Sequence, residues 1–284
     1  FIGNGVSELI DLAMRGLLDD GDEVLVPSPD YPLWTASVIL NGGRAVHYPC
    51  RAQDGFLPDP DAVEALITPR TRALVVINPN NPTGAVYPRE LLARLAAIAA
   101  RHRLVLMSDE IYDGILYDDA TFEPIAALAQ DTVCLSFGGL SKVHRACGWR
   151  VGWVCAPAPI LEGIVKVHQY GIMSAPTVAQ DAALVALRDG DAAVDAMVTE
   201  YDRRRRLLAD GLNRLGLPTF EPRGAFYAFP DITSTGLTSD EFTEQLLREE
   251  RVAAVPGNAF GPSGEGHVRM CYATSYEKLE EALE

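Results

Sequence analysis

The stretch ALVVINPNNPTG (residues 73–84) joins an apolar run, Ala73–Ile77, to a dense group of turn-forming residues. The apolar run has no polar alternation, which is typical of a parallel strand that is covered on both faces. The prolines and asparagines of the second half favour a tight, rigid turn. This stretch therefore predicts a buried strand whose carboxyl end opens directly onto a structured loop.

Similar β-rich runs on both sides of this stretch alternate with helical segments, of which the first, from Ser7 to Leu18, has apolar residues at helical spacing. The predicted strands are Val24–Val26, Ala45–Tyr48, Ala73–Ile77, Leu104–Ser108 and Val133–Ser136. Such an alternation predicts an α/β fold. We expect a three-layer α/β/α domain with a mostly parallel sheet.

Beyond about residue 160 the pattern changes to long helices, including Asp191–Leu215, and then to short strands at Ala225–Phe229 and Val252–Val255. The change predicts a smaller, C-terminal α+β domain, with residues 1–194 forming the large domain and residues 195–284 the small one. The four arginines Arg203–Arg206 are interpreted as a solvated helix face.

The composition excludes several classes of function. A net charge of -15 and a pI near 4.7 oppose binding to nucleic acid or to an anionic membrane surface. The five cysteines contain no CxxC pair, which argues against disulfides and a metal site and favours a cytoplasmic location. The opening residues, Phe1–Gly5, read as a strand end that enters a helix, so we expect a further segment upstream.

Ligands of open parallel sheets bind beyond the carboxyl ends of the strands, and unusual residues fall at two such ends. Lys142 ends the run GGLSK, which follows the predicted strand Val133–Ser136. Asp109 closes the strand Leu104–Ser108, and Tyr112 stands three residues further on. A lysine in such a crevice supplies the nucleophilic amine that carbonyl chemistry requires.

A lysine Schiff base with pyridoxal 5'-phosphate needs an acid near the ring nitrogen, a phosphate anchor and a donor to the ring oxygen. Asp109 is the candidate acid. Arg150, in GWRVG, is the candidate phosphate anchor, together with Ser7 and the backbone amide of Val6 at the start of the first helix. Ser7 also fits an ordinary N-cap, and Asp109 also fits a helix cap.

The remaining candidates face the ring and the substrate. Tyr112 and Asn81 are placed to bond the ring oxygen, and Tyr31 to stack on the ring face. Arg269, in HVRM, suits a bidentate grip on a substrate carboxylate, although a salt bridge within a strand is the alternative.

These residues together resemble the class I and II, fold-type-I aminotransferases related to aspartate aminotransferase, along essentially the whole chain. The motifs that carry the resemblance are NPNNPTG at 78–84, SDEIY at 108–112, SK followed by GWRVG within 141–152, and VRMCYATS at 268–275. The resemblance implies that Lys142 binds the cofactor, that Asp109 pairs with its ring nitrogen, and that Arg269 and Asn81 bind the substrate. It also implies catalysis by Lys142, Asp109 and Tyr112, and a homodimer.

The first half of the chain is most similar to bacterial alanine aminotransferases, with GNGVSELI and GLSKVHR, whereas HQYGIMSAPT and PRGAFYAFP are similar to aromatic or diaminopimelate-type relatives. The resemblance implies transfer of an amino group from an alanine-like L-amino acid to a 2-oxo acid such as 2-oxoglutarate. An aspartate or aromatic aminotransferase, a carbon–sulfur lyase or cyclopropane synthase of the same fold, the sensor module of a transcription regulator and an inactive fragment are the alternatives.

Overall fold

A computed structural model describes residues 1–284 and contains two β-sheets. The strands of the large sheet are, in chain order, β1 (Ile2–Gly3), β2 (Glu23–Ser28), β3 (Arg44–Pro49), β4 (Thr71–Ile77), β5 (Val105–Asp109), β6 (Cys134–Gly139) and β7 (Gly152–Cys155). Their spatial order is β1-β7-β6-β5-β4-β2-β3. The pairs among β2 to β6 are parallel. Strand β7 pairs antiparallel with β6 on one side and with β1 on the other. The predicted mostly parallel sheet is thereby confirmed.

The register of the central strands brings three chain segments to one edge of the sheet. Asp109 of β5 lies level with Ile77 of β4 on one side and with Phe137 of β6 on the other. Because the three strands are parallel, the loops that follow them emerge side by side. The sheet thus gathers the NPNNPTG loop, the SDEIY segment and the lysine loop above one crevice.

Nine helices accompany the sheets, and those of the large sheet cover both of its faces. The helices are α1 (Val6–Leu17), α2 (Leu33–Leu40), α3 (Pro60–Ala65), α4 (Arg89–His102), α5 (Ala158–Gly171), α6 (Thr177–Asp189), α7 (Asp191–Arg214), α8 (Ser239–Glu249) and α9 (Tyr276–Leu283). Leu74 and Val76 of β4 pack in a core cluster with α4, whereas Val75 and Ile77 pack in another with α1 and α2. This alternation is that of a strand covered on both faces, as the sequence predicts. None of the helices is both long and apolar enough to cross a bilayer.

The C-terminal part forms a small antiparallel sheet in the order β8-β10-β9, from β8 (Tyr227–Ala228), β9 (Val255–Pro256) and β10 (Val268–Cys271). Its core cluster with α7 and α9 also includes Tyr112 and Ile115 from the loop after β5. The α+β character is confirmed, while the division at residues 194 and 195 stays a prediction.

The interpretation of Arg203–Arg206 as a solvated face is wrong for Arg205, which is only 1% exposed. The buried residues of α7 include Met197, Tyr201, Leu208 and Leu212, so Arg205 falls on the same inward stripe at helical spacing. A run of four like residues covers every side of a helix. The sequence of such a run therefore does not show which arginine points inward.

The guanidinium of Arg205 is held by an ion network between α7 and two loops. Its nitrogen atoms donate to Asp202 at 2.8 Å, Asp118 at 2.9 Å and Glu221 at 3.0 Å, and also to the carbonyl of Pro222 at 2.9 Å. A further N–H of the guanidinium also donates to Asp202, so all five donors of this buried cation are occupied, which is the condition for a buried charge to be tolerated.

Arg205→Leu is expected to lower the free energy of unfolding by roughly 2–4 kcal/mol, because the substitution leaves a cluster of carboxylates without its central cation. The expected loss is below that of a fully buried pair, since the partner carboxylates keep some contact with water. Urea denaturation measures it. Arg248→Leu is the control: its ion pair with Glu244 on α8 is exposed and contributes less than about 1 kcal/mol. Equal losses in both variants would contradict the assignment.

Candidate active site

A cavity of about 360 Å³ opens at the carboxyl ends of β4, β5 and β6. Its volume lies in the range of small-molecule sites. The cavity brings together all of the site residues that the sequence singled out: Val6, Ser7, Tyr31, Asn81, Asp109, Tyr112, Lys142, Arg150 and Arg269. Residues far apart in the chain therefore share one space, as the strand-end argument requires.

Asp109 forms the floor of the cavity and is 3% exposed. Trp34 donates its indole N–H to one carboxylate oxygen at 3.0 Å, and the backbone N–H of Ile111 donates to the other at 3.3 Å. Burial raises the pKa of Asp109, although these two bonds and the charge of Lys142 oppose the rise. A buried carboxyl held only by neutral donors is well suited to a positively charged ring nitrogen. The helix-cap alternative is wrong, because residues 111–114 form a turn and no helix begins after Asp109; the bond from Ile111 belongs to that turn.

Lys142 approaches the same space from the turn after β6. Its side chain is half-buried, with the ammonium nitrogen 5.9 Å from the ring centroid of Phe226. The thiol of Cys147 donates to the carbonyl of Ser141 at 2.9 Å, which ties down the turn that carries the lysine. Gly138 lets β6 pack tightly here, since a Cβ at that position would lie 2.5 Å from the indole nitrogen of Trp153.

The positive pole of the cavity is built from Arg150 and the beginning of α1. Arg150 donates to the carbonyls of Cys147 at 3.0 Å and Asn4 at 3.3 Å. Its guanidinium therefore lies beside the N-terminus of α1. Gly5 has φ 86°, and a Cβ there would lie 2.3 Å from an Arg150 nitrogen. No side chain caps α1, although Ser7 was an N-cap candidate. A guanidinium beside uncapped helix N–H groups is a strong anion site.

The NPNNPTG loop presents one of its three asparagines to the cavity. The side-chain oxygens of Asn78 and Asn80 accept bonds within the loop, from the N–H of Tyr87 at 2.9 Å and the hydroxyl of Thr83 at 2.7 Å. Asn81 instead faces the cavity. The loop is therefore both a structured turn and a source of a functional side chain.

Arg269 lies across the cavity from this loop and donates to the side-chain oxygen of Asn81 at 2.9 Å. That bond leaves the amide N–H groups of Asn81 free to donate. The guanidinium is placed between Tyr227 and Phe260, whose ring centroids are 4.4 and 4.7 Å away, and its Nε is buried without a partner. No carboxylate lies within salt-bridge distance of Arg269, so the strand salt bridge considered as an alternative is absent.

Sequence reasoning missed two side chains that organise the site. Trp34 is fully buried and holds Asp109, and Tyr227 bonds the hydroxyl of Tyr112 at 2.9 Å. Neither follows a predicted strand end, so the rule that identified Asn81, Asp109 and Lys142 did not identify them. Ser141 and Cys147 also line the cavity. Of these, only Ser141 had a sequence signal, its position beside Lys142.

Thr35 connects two titratable side chains, Asp30 and His47, through hydrogen bonds. The hydroxyl of Thr35 donates to Asp30 at 3.0 Å and lies 2.9 Å from Nε2 of His47. Asp30 is 1% exposed, and burial raises its pKa to about 7, against opposing hydrogen bonds. Burial also raises the pKa of Glu110 to about 7. Two buried acids thus titrate near neutrality in the folded protein.

We expect Asp30 and Glu110 to lower the stability of the protein as the pH rises from about 4 to about 7, against a smaller opposing contribution from His47, whose pKa burial lowers. An acid whose pKa is raised by folding binds its proton more tightly in the native state, so raising the pH through this window favours unfolding, with no further change above it. For Asp30 the shift from 3.8 to about 7 amounts to at most about 4 kcal/mol. Asp30→Asn should flatten this dependence in urea titrations across the window. Asp20→Asn, at an exposed position, should leave the dependence unchanged, and an unaltered slope in Asp30→Asn would contradict the expectation.

Comparison with known proteins agrees with this geometry. The family model "Aminotransferase class I and II" matches residues 1–284. An aspartate aminotransferase of Pyrococcus abyssi is 44% identical over 283 residues, covering 99% of this chain and 73% of the relative. The glutamate–pyruvate aminotransferase AlaA of Escherichia coli is 42% identical over 296 residues, covering 100% and 73%. The solved structure of an aromatic aminotransferase from Pyrococcus horikoshii superposes with a TM-score of 0.97 at 44% identity, covering 100% and 77%.

The chain therefore belongs to the class I and II aminotransferases. Enzymes of this family use pyridoxal 5'-phosphate and act on amino acids and 2-oxo acids. The cavity fits this cofactor on its own chemistry: it has an anion pole at Arg150, an amine at Lys142, and a buried carboxyl at Asp109 that lacks a cation within hydrogen-bonding distance.

Proposed function

We propose that this chain transfers the amino group of L-alanine, or of a related small amino acid, to a 2-oxo acid such as 2-oxoglutarate. The observation that carries the preference for alanine is the number of cations in the cavity. Its lining includes three, and Arg150 and Lys142 are assigned to the phosphate and to the reacting carbon. Arg269 is then the one guanidinium left for a substrate carboxylate, which matches an amino acid with an apolar side chain.

The proposed roles follow from position. Arg150, Ser7 and the amide of Val6 hold the phosphate, because they form the anion pole. Asp109 keeps the ring nitrogen protonated, because its neutral partners leave the negative charge uncompensated.

Two further side chains are assigned to the ring itself. Tyr112 and the free amide of Asn81 donate to the ring oxygen, and Tyr31 covers one ring face. Tyr31 is about one-third exposed in the cavity wall, which is the position such a contact requires.

When bound, pyridoxal 5'-phosphate supplies an aldehyde and an electron-withdrawing ring. Arg269 orients the substrate by gripping its α-carboxylate through Nε, whose bonding capacity is unused. With the cofactor bound, the amine of Lys142 would remove the proton from the substrate Cα and would carry it to the carbon on the cofactor side of the amino nitrogen. Both proton movements are assigned to Lys142, because it is the one lysine that lines the cavity.

The test is a set of half-reactions, in which the protein reconstituted with pyridoxal 5'-phosphate is mixed with alanine, aspartate, phenylalanine or glutamate and the change in visible absorption is followed. Alanine should exceed aspartate by at least about 10-fold in kcat/KM, since the aspartate side chain would bury a carboxylate without a cation. Aspartate at or above the alanine rate would overturn the preferred donor. Phenylalanine is the second candidate, because the Pyrococcus horikoshii relative is named as an aromatic aminotransferase.

The acceptor is proposed from the name of the Escherichia coli relative, which pairs glutamate with pyruvate. The second carboxylate of 2-oxoglutarate lies one methylene further out than that of aspartate. Because the cavity lining holds no further cation, this carboxylate is proposed to stay in contact with water at the open side of the cavity. Product analysis with alanine and 2-oxoglutarate should find pyruvate and glutamate in equal amounts. Ammonia in place of glutamate would favour the carbon–sulfur lyase alternative. Homodimer formation and a cytoplasmic location stay predictions.

A further inference from the structure

We propose that Tyr227 is a positioning residue that couples the two ends of the active site, its hydroxyl orienting Tyr112 and its ring face supporting Arg269. The inference rests on the proposed roles of Tyr112 and Arg269. It adds a residue of the PRGAFYAFP motif that had no assigned role in the site, and it predicts that this one side chain contacts both the cofactor end and the substrate end.

The small sheet places Tyr227 between these two partners. Tyr227 lies on β8 and pairs with Cys271 of β10, so Arg269 stands two residues away along the neighbouring strand. The guanidinium of Arg269 lies 4.4 Å from the ring centroid of Tyr227, and the two hydroxyls of Tyr227 and Tyr112 are 2.9 Å apart. Tyr227 is 6% exposed and lines the cavity. It is therefore held in place and in contact with both groups.

Counting the protons of Tyr112 and Tyr227 shows which hydroxyl donates the hydrogen bond between them. A phenol carries one O–H donor. If Tyr112 gives its proton to the ring oxygen of the cofactor, its own oxygen can only accept, so Tyr227 must be the donor in the 2.9 Å bond. Burial raises the pKa of Tyr227 to about 12 and that of Tyr112 well above its ordinary value, so both hydroxyls keep their protons at working pH. Donation from Tyr227 makes Tyr112 a stronger donor in turn.

The contact with Arg269 uses a different part of the same side chain. A guanidinium over an aromatic face is attracted by the ring and needs no hydroxyl. Phe260 covers the other side at 4.7 Å, and Asn81 takes one N–H group. The ring of Tyr227 thus limits the positions that Arg269 can adopt. Because hydroxyl and ring act on different partners, two substitutions separate their effects.

Tyr227→Phe removes the hydroxyl and keeps the ring. The pH midpoint of the absorption change of the bound cofactor should move upward by about 0.5–1 unit, because a weaker donor stabilises the more negative form of the ring less. KM for alanine should stay within about twofold, since Arg269 keeps its support, while kcat falls. The Kd for pyridoxal 5'-phosphate, measured on the cofactor-free protein by quenching of tryptophan fluorescence, should rise about threefold to tenfold.

Tyr227→Leu removes the ring as well. KM for alanine and the Kd for propionate, a carboxylate without an amine, should then rise by about fivefold or more, while the midpoint moves as in Tyr227→Phe. Tyr272→Phe is the matched control: that buried hydroxyl bonds the carbonyl of Ala225 and not Tyr112, so its loss should leave the midpoint unchanged. If Tyr227→Leu does not fold, Tyr227→Phe decides the hydroxyl role alone.

Tyr112→Phe distinguishes failure of this inference from failure of the proposed site. A midpoint that moves in Tyr112→Phe but not in Tyr227→Phe overturns the coupling and leaves the role of Tyr112 intact. A midpoint that moves in neither variant removes the role of Tyr112 and the inference with it. Equal KM values in Tyr227→Phe and Tyr227→Leu overturn the support of Arg269.

Discussion

Lys142→Ala is expected to lower kcat by at least about 10,000-fold, because the amine that binds the cofactor and moves the proton has no substitute in the cavity. The sequence contains three lysines, Lys142, Lys166 and Lys278. Lys166 and Lys278 are exposed and do not line the cavity. The assignment of the amine therefore depends on a single side chain that a single substitution removes.

Borohydride reduction of the protein loaded with pyridoxal 5'-phosphate tests this assignment directly. Reduction should fix the cofactor to one peptide containing Lys142, and the adduct should be missing in Lys142→Ala. Lys166→Ala and Lys278→Ala are matched controls that should keep both the adduct and the activity. An adduct that persists in Lys142→Ala would show that another amine carries the cofactor.

Asp109→Asn should lower kcat/KM by about 100-fold or more, because an amide of the same shape cannot hold a proton on the ring nitrogen by its charge. The amide oxygen can still accept the indole N–H of Trp34, so the loss should come from charge and not from packing. Stopped-flow absorption of the half-reaction with alanine measures it. Circular dichroism checks that the fold is unchanged.

Glu110→Gln is the control for Asp109→Asn. Glu110 is the next residue in the chain and is also buried, but its carboxylate faces the hydroxyl of Ser136 at 3.4 Å and does not line the cavity. Its substitution should leave the rate within about threefold of the wild type, since its carboxyl lies outside the cavity and makes no contact with a bound ring. If the two variants lost comparable activity, the loss in Asp109→Asn would be a general effect of removing a buried charge and not an effect on the cofactor.

Much of the cavity was predictable because of one geometric rule. The apolar run before Asn78 and the strand before Asp109 are readable as buried parallel strands, and parallel strands end at one edge of a sheet. Polar residues just beyond those ends therefore had to meet, and Asn81, Asp109 and Lys142 do line one cavity. The strand register pairs Asp109 with Ile77, and this pairing brings the residues that follow the two strands close together.

The residues that the rule missed depend on contacts between segments far apart in the chain. Trp34 reaches Asp109 across 75 positions, and Tyr227 reaches Tyr112 across 115. Arg205 is buried because α7 turns that face toward Asp118, a residue that precedes it by 87 positions. No local pattern distinguishes such a tryptophan, tyrosine or arginine from others of its kind.

The sequence by itself determined the α/β class, the mostly parallel sheet, the cofactor family and the residues at the strand ends, because strand periodicity and turn chemistry are local properties of the chain. The tertiary structure alone decided which tryptophan holds Asp109, which tyrosine faces Tyr112 and which arginine of four is buried. Those choices depend on how α2, α7 and the small sheet pack against the large sheet. Packing is a property of surfaces brought together, and it is absent from any single segment.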